Sequence, residues 1–338
     1  MQRAFITGVS GLELTRDERA FVNETQPAGL ILFARNCASQ PQITALVADF
    51  KAAVGHDNLL VLIDQEGGRV QRLRPPLARL LPPAAAFMAH HDGDLPAACH
   101  AARLVARLTA EDLAGFAINT SCAPVLDVPV AGAHDIIGNR AYSRDPAVVI
   151  ALGRAVAEGL MAGGILPVMK HIPGHGRAGA DSHHELPTVT TSRDDLVRSD
   201  FAPFKALADL PAAMTAHVRY TALDAIEPAS TSLAVTHDIM RGHIGFDGLL
   251  MSDDLSMQAL TGTFTERTRR VLAAGSDLAL HCNGDLAEMR EVAAASPVLS
   301  GRASQRFARA LAVAQAPRSA FNLAEAEAAT ARLLAPIA

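Results

Sequence analysis

The chain alternates between short apolar stretches and longer amphipathic segments. Eight of the apolar stretches are nearly continuous in Val, Ile, Leu, Ala and Met, which is typical of parallel strands buried on both faces. These stretches cover residues 4–8, 29–33, 59–64, 116–128, 165–171, 212–218, 248–254 and 277–282. We therefore predict eight buried parallel strands.

Helix signals lie between these stretches. Asp145 and Pro146 form a typical N-cap and first helical residue, because the carboxylate accepts an N–H and proline needs no N–H partner there. Apolar residues then recur every three or four positions over 149–160, and Gly163 follows as a stop signal. Ser192 is the predicted start of a further helix, three residues before an aspartate.

Eight strands that alternate with helices favour an α/β fold of the (β/α)8 TIM-barrel type. A doubly wound sheet shows a similar alternation, but no G-x-G-x-x-G nucleotide motif follows the first strands. No linker long enough to separate two domains is visible. We predict a single domain over residues 1–338, in which the residues after Asn283 complete the barrel and its helices.

Composition and charge exclude several functional classes. The 338 residues are 49% apolar and carry a net charge of −5 with no basic run, so we expect a large core and no nucleic-acid partner. No stretch of about 18 uncharged apolar residues is present, and a membrane partner is therefore not expected. Glu13 stands where the apolar part of a secretory signal would continue, which favours a cytoplasmic protein. We expect it to be a monomer.

The cysteines and aromatic residues narrow the kind of site. Cys37, Cys99, Cys122 and Cys282 form no C-x-x-C pair and are expected to be free, buried thiols. Aromatic residues make up only 4% of the chain, which disfavours a long aromatic-lined groove and leaves a small polar pocket. No cofactor is expected.

Polar residues gather at the predicted C-terminal ends of the strands, where barrel enzymes carry their active sites. They are Asp64, Asp127, Lys170, His171, His217, Asp253 and Asp254. Each alone has an ordinary structural explanation, and Asp254 is expected to cap a helix that begins at Leu255. Their common position at one end of the barrel indicates a functional site.

The segment after the fifth strand is rich in histidine and glycine. Four of the 13 histidines lie within residues 171–184, and three glycines lie within 173–179. Glycine at this density lets a loop approach a ligand or move. Asp181, Ser182 and His183 follow directly, so this loop carries candidate catalytic groups.

Two chemistries fit these residues. Histidines and aspartates on a barrel can hold a catalytic metal, although the H-E-x-x-H motif is missing. Glycoside hydrolysis instead needs a carboxylate beside the anomeric carbon and a proton donor for the leaving oxygen. Asp253 suits the first role and His183 the second, with Asp181 orienting the imidazole.

Seven stretches of the chain resemble the bacterial β-N-acetylglucosaminidases of glycoside hydrolase family 3, the NagZ group. In order between residues 29 and 257 they read GLILFARN, IDQEGGRVQRL, APVLDV, IIGNRAYS, KHIPGHGRAGADSHHELP, MTAHVRYTALD and GLLMSDDLSM. The combination K-H-x-P-G-H-G followed by D-S-H is specific. The resemblance implies one (β/α)8 barrel and a retaining mechanism without a metal or cofactor.

The resemblance also implies roles for individual residues. By motif position, Asp253 is the nucleophile and His183 the acid/base group, assisted by Asp181. The residues expected to hold N-acetylglucosamine are Asp64, Arg72, Arg140, Lys170 and His171. The implied activity removes this sugar from the non-reducing end of a small glycoside.

The resemblance also implies a muropeptide substrate in cell-wall recycling. Some members of the family use phosphate as the acceptor. Two alternatives stay open at this point. One is a metal-dependent barrel hydrolase that uses the His and Asp loop cluster. The other is a sugar-binding barrel without catalysis, which the presence of Asp253, Asp181 and His183 disfavours.

Overall fold

Eight parallel strands close into a barrel in the computed structural model, which describes residues 2–334. The strands are β1 (Arg3–Thr7), β2 (Pro27–Leu32), β3 (Leu60–Ile63), β4 (Thr120–Ser121), β5 (Leu166–Ile172), β6 (Ala212–Thr215), β7 (Leu249–Asp254) and β8 (Leu278–His281). Each pairs with its neighbours in chain order, and β1 closes the ring against β8. The predicted strands and the predicted barrel are confirmed.

Helices follow the strands around the barrel. They are α1 (Arg16–Thr25), α2 (Gln40–Val54), α3 (Ala86–His90), α4 (Leu95–Gly115), α5 (Pro146–Ala162), α6 (Arg193–Arg198), α7 (Ala202–Ala206), α8 (Phe264–Ala273), α9 (Leu286–Ala295), α10 (Gly301–Ala314) and α11 (Leu323–Leu334). A π-helical segment, Val235–His243, lies between β6 and β7. Within residues 2–334, none of the helices is long and apolar enough to cross a membrane.

The predicted helix starts at Asp145 and Ser192 are confirmed. The Asp145 carboxylate accepts the N–H of Ala147, and Gly163 is the C-cap that follows the last residue of α5. The Ser192 hydroxyl accepts the N–H of Asp195 at the start of α6. Each polar side chain satisfies an N–H that has no partner within its helix.

Strand β4 is shorter than the predicted stretch 116–128. Its ladder is interrupted at Pro124, which has no N–H to donate. Pairing with β5 resumes beyond it, since Lys170 donates its N–H to the Pro124 carbonyl (3.0 Å) and Leu126 donates to the Lys170 carbonyl (2.7 Å). The chain therefore continues along β5 and delivers Asp127 beside His171 at the C-terminal mouth of the barrel.

Helix α10 closes the opposite end of the barrel. Its apolar residues are Phe307, Ala310, Leu311 and Ala314. They belong to the same buried cluster as the apolar side chains with which the strands fill the barrel interior. The interior is therefore a packed core rather than a channel. Within residues 2–334, the cavity that can admit a ligand to the barrel lies at the C-terminal mouth.

Candidate active site

A cavity of about 410 Å³ opens at the C-terminal mouth. Of the residues predicted from the sequence, those that line it are Asp64, Arg72, Arg140, Lys170, His171, His183 and Asp253. Asp181 does not line the cavity, but its carboxylate contacts His183 from behind. The structure thus brings the whole predicted set to one place.

Asp253 ends strand β7 with its carboxylate on the cavity. Burial alone would raise its pKa, but His171 and His217, together with the N–H of Asp254 and the charge of Lys170, hold the pKa below its ordinary value. The Asp254 N–H donates to Asp253 Oδ1 at 2.8 Å. Asp253 is therefore ionised at neutral pH, as a nucleophilic carboxylate must be.

His183 and Asp181 form a pair at the mouth of the cavity. His183 Nδ1 lies 2.7 Å from Asp181 Oδ1, which also accepts the His183 backbone N–H at 2.9 Å. Partial burial raises the pKa of Asp181, but these hydrogen bonds outweigh it and keep the pKa below its ordinary value. Because an ionised carboxylate only accepts, Nδ1 carries a proton and Nε2 is left to exchange one with a ligand.

The loop that carries this pair is bonded to the turn after Asp253. Ala259 donates its N–H to the Ser182 carbonyl (3.2 Å), and Gln258 donates to the carbonyl of His183 (3.4 Å). The His183 side chain remains 60% exposed. The loop therefore lies over the end of β7 and places His183 at the rim of the cavity that Asp253 lines.

Asp64 forms the centre of a charged cluster on the opposite wall. Lys170 Nζ lies 2.8 Å from its Oδ1, and Arg72 Nη2 lies 2.8 Å from its Oδ2. Burial would raise the pKa of Asp64, but these two cations hold it far below its ordinary value. The ionised carboxylate can accept hydrogen bonds from sugar hydroxyls, while the two cations beside it donate to neighbouring hydroxyls.

Glu66 is a functional candidate that the sequence reasoning missed. It lies in a short hairpin strand just after Asp64 and makes a two-point ion pair with Arg140, at 2.8 Å for each bond. Its Oε1 also lies 2.6 Å from Lys170 Nζ. Burial raises the pKa of Glu66, but the charges of Lys170 and Arg140 more than reverse this effect. Its position close to Asp64 in the motif IDQEGGRVQRL is the sequence feature that could have identified Glu66 as a site residue.

Replacing Glu66 by glutamine should weaken both the fold and sugar binding. The Glu66 side chain is only 6% exposed, so the change leaves buried Arg140 without a carboxylate partner. Losing one partner of a buried ion pair costs about 3–5 kcal/mol, and we expect a loss of unfolding free energy of that order with a raised KM. Urea denaturation and steady-state kinetics measure the two effects.

Asp209→Asn is the matched control for this prediction. Asp209 makes a similar two-point pair with Arg154, but its side chain is 68% exposed. Solvent-exposed pairs contribute about 0–1 kcal/mol, so this variant should remain close to wild type. Equal stability and equal KM for the two variants would contradict the role given to Glu66.

Asp127 and His175 are two further residues whose roles the sequence did not predict. Asp127 is completely buried, and its Oδ2 lies 2.7 Å from His171 Nδ1. His175 is also buried, and its Nε2 lies 3.2 Å from the Ser182 hydroxyl oxygen. Burial, together with the neighbouring His171, lowers the pKa of His175 to about 4, so its ring is neutral at pH 7.

The predicted helix cap at Asp254 is wrong. Turns follow β7, and the next helix is α8, whose cap is Thr263. Asp254 Oδ1 instead accepts the N–H groups of Ser256 (3.0 Å) and Cys282 (3.1 Å). The carboxylate therefore ties the end of β7 to the end of β8 and shapes the cavity floor.

Apolar side chains line another part of the cavity. Its residues include Ile31, Phe33, Met257, Leu280 and Cys282.

All four cysteines are free thiols, as predicted, but only Cys122 and Cys282 are buried. Among residues 2–334, no group of three or more His, Cys, Asp or Glu side chains is arranged to hold a metal ion.

Glycoside hydrolysis requires a carboxylate beside the anomeric carbon and a proton donor for the leaving oxygen. The cavity offers both, as an ionised carboxylate and an imidazole–carboxylate pair. On a closed (β/α)8 barrel they define a glycoside hydrolase. The family model described as "Glycosyl hydrolase family 3 N terminal domain" matches residues 5–313. The chain therefore belongs to glycosyl hydrolase family 3.

Similar proteins cover nearly the same length. A protein named beta-hexosaminidase from Bordetella avium (strain 197N) is 40% identical over 285 residues, which are 83% of this chain and 81% of the relative. The crystal structure of native NagZ from Neisseria gonorrhoeae superposes with a TM-score of 0.87 at 33% identity, covering 99% of this chain and 98% of that one. NagZ from the same organism in complex with N-trifluoroacetyl-D-glucosamine also gives a TM-score of 0.87, at 32% identity with the same coverage.

Proposed function

We propose that this enzyme is a β-N-acetylhexosaminidase that removes a terminal N-acetylglucosamine from the non-reducing end of a small glycoside. The observation that carries the proposal is the placement of Asp253 and His183 on one cavity with a closed floor. A closed floor admits only the end of a sugar chain, which favours exo-action. The N-acyl glucosamine bound by the structurally similar Neisseria NagZ supports the choice of sugar.

The first step is the attack of the Asp253 carboxylate on the anomeric carbon. The bond to the leaving oxygen breaks, and His183 donates its Nε2 proton to that oxygen. The hydrogen bond from Nδ1 to Asp181 stabilises the imidazolium before transfer and keeps the ring oriented. The product of this step is a covalent glycosyl ester on Asp253.

The second step releases the sugar with retention of configuration. Neutral His183 accepts a proton from water through Nε2, and the water oxygen attacks the anomeric carbon while the ester bond to Asp253 breaks. Two inversions at the same carbon give net retention. His183 is then protonated again for the next cycle.

The charged wall of the cavity binds the sugar hydroxyls. Asp64 accepts hydrogen bonds, and Arg72, Arg140 and Lys170 donate them. The His171 ring nitrogen donates or accepts according to the hydroxyl it faces. Charge-assisted hydrogen bonds contribute about 1.5–3 kcal/mol each. A sugar that lacks one of these hydroxyls leaves a charged group in the cavity without that hydrogen-bond partner and is rejected strongly.

The physiological substrate that we propose is an N-acetylglucosaminyl muropeptide, processed in the cytoplasm during peptidoglycan recycling by a monomeric enzyme. Phosphate is a second acceptor in this proposal. Once deprotonated, His183 carries no negative charge, so it does not repel an incoming anion as a carboxylate base would. Formation of N-acetylglucosamine 1-phosphate in phosphate buffer tests this acceptor role.

Hydrolysis of 4-nitrophenyl N-acetyl-β-D-glucosaminide tests the proposed activity. We expect release of β-N-acetylglucosamine as the first anomer seen by NMR, and turnover should be unchanged by EDTA. The matching β-glucoside, which lacks the acetamido group, should be a much poorer substrate. No turnover would contradict the proposal, and activity that EDTA removes and zinc restores would favour the metal-dependent hydrolase.

A further inference from the structure

The carboxylate of Asp127 binds both the end of β5 and the loop that follows it. Its Oδ1 accepts the backbone N–H of His171 at 3.1 Å and that of His175 at 2.7 Å. Its Oδ2 accepts the Nδ1 proton of the His171 ring at 2.7 Å. Asp127 has no accessible surface, so these three donors satisfy a charge that water does not reach.

The contact with the ring determines which nitrogen of His171 faces the ligand. Asp127 is ionised, because the neighbouring His171, which is hydrogen-bonded to it, overcomes the effect of burial and lowers the pKa of Asp127 to about 2. An ionised carboxylate only accepts, so Nδ1 of His171 carries a proton. Nε2 is thereby presented to the cavity that His171 lines.

The contact with the His175 backbone reaches the proposed acid/base group. His175 Nε2 lies 3.2 Å from the hydroxyl of Ser182, the residue before His183. The chain from Asp127 through His175 to Ser182 therefore fixes where the segment Asp181–His183 lies relative to the barrel. Tyr220 also holds this loop at its base, by donating its hydroxyl to the Gly174 carbonyl.

We propose that Asp127 is a positioning residue for the reaction. Its Oδ2 sets the tautomer and orientation of His171, and its Oδ1 anchors the loop that carries His183. It touches neither of the two groups proposed to react, Asp253 and His183, and acts through its neighbours. This inference rests on the proposed function, because it holds that the contacts of Asp127 with His171 and His175 support glycoside hydrolysis.

Two substitutions separate the two contacts. Asp127→Asn keeps an Oδ1 acceptor for both backbone N–H groups but places an NH2 group against His171, which moves the ring proton to Nε2. We expect kcat/KM to fall roughly 100-fold, by the same factor for aryl and alkyl glycosides, because the sugar and not the leaving group is misplaced. Asp127→Ala removes the loop anchor as well and should lose additional activity on alkyl glycosides only.

Asp277→Asn is the matched control. Asp277 is also a buried aspartate that accepts a backbone N–H, from Leu250, and pairs with Arg241, but it lies at the opposite end of the barrel. A purely structural effect of removing a buried carboxylate would appear in this variant too. We expect wild-type kcat/KM on both substrates.

Nitrogen-15 NMR of labelled histidine gives a readout that does not require activity. With His171 assigned from a His171→Gln variant, the wild type should show a protonated Nδ1, whereas Asp127→Asn should show an unprotonated Nδ1 and a protonated Nε2. A protonated Nδ1 in both proteins, or wild-type kcat/KM in Asp127→Asn, would overturn the inference. An inactive wild type would instead contradict the proposed function, whatever the tautomer.

Ser182→Ala tests the loop contact if Asp127→Asn fails to fold. It removes only the hydroxyl that contacts His175 Nε2 and leaves the barrel unchanged. We expect a larger loss on alkyl than on aryl glycosides, because His183 is misplaced and only the poor leaving group needs its proton. Equal activity of variant and wild type on the alkyl glycoside would overturn the loop part of the inference.

Discussion

Asp253→Asn should lose at least about 10⁴-fold in kcat, the scale on which removal of a catalytic nucleophile acts. Asparagine has nearly the same shape, so the cavity and the sugar-binding wall should be retained. What is lost is the negative charge that bonds to the anomeric carbon and stabilises the positive charge developing there. Steady-state kinetics with 4-nitrophenyl N-acetyl-β-D-glucosaminide measure the loss, and KM or inhibitor binding shows that the site is intact.

Asp254→Asn provides the comparison within the same cavity. Asp254 also carries a carboxylate beside the ligand space, but its Oδ1 is engaged by the N–H groups of Ser256 and Cys282. Asparagine can accept both bonds, so the loss should be far smaller than for Asp253→Asn. Similar losses of kcat for the two variants would contradict the role of Asp253 as the catalytic nucleophile.

Asp253→Ala adds a chemical test of the same role. The substitution opens space where the carboxylate stood, and azide added to the solution can attack the anomeric carbon from that side. We expect partial recovery of turnover and an α-configured glycosyl azide, since one displacement inverts the carbon. A β-configured product would place the nucleophile on the other face of the sugar.

His183→Ala should slow substrates according to their leaving groups. An alkyl or sugar leaving group needs a proton to depart, and we expect a loss of about 10²–10⁴-fold in kcat/KM, the usual contribution of a general acid. A dinitrophenyl leaving group departs without protonation, so kcat/KM for the aryl glycoside should change little. Its kcat should still fall, because deglycosylation loses the base that activates water.

His184→Ala is the matched control for this prediction. His184 adjoins His183 and is 79% exposed, and its Nε2 lies 3.9 Å from Asp181 Oδ2, beyond hydrogen-bond distance. We expect wild-type behaviour on both classes of substrate. An equal loss on aryl and alkyl glycosides for His183→Ala would contradict its role as the acid.

The barrel could be predicted because the strand signal is local. Each strand is buried on both faces, so the apolar stretches stand out, and the caps at Asp145 and Ser192 follow from single side chains. The length of β4 was not predictable from hydrophobicity, because a stretch remains apolar where its ladder is interrupted at Pro124. The cap expected at Asp254 was wrong for a related reason. Its carboxylate accepts the N–H of Ser256 in a local turn and also that of Cys282 just after β8, and the second contact is determined by the tertiary fold.

The residues on the cavity could be predicted from motifs, but not their electrostatic connections. Position in a motif placed Asp64, Lys170 and Arg140 at the site, whereas the carboxylate that joins Lys170 to Arg140 is Glu66. Asp127 likewise looked like any polar strand end. Which carboxylate pairs with which cation depends on loop geometry across different strands, and that information is not local in the sequence.

The most direct test of the central claim is mass spectrometry after incubation with 5-fluoro-N-acetylglucosaminyl fluoride. The fluorine at C5 slows both steps, and the good leaving group lets the glycosyl-enzyme form faster than it decays. We predict a gain of one fluorinated sugar on the peptide that contains Asp253, and none in Asp253→Asn. A sugar attached to any other residue, or continued turnover with no adduct at all, would contradict the account.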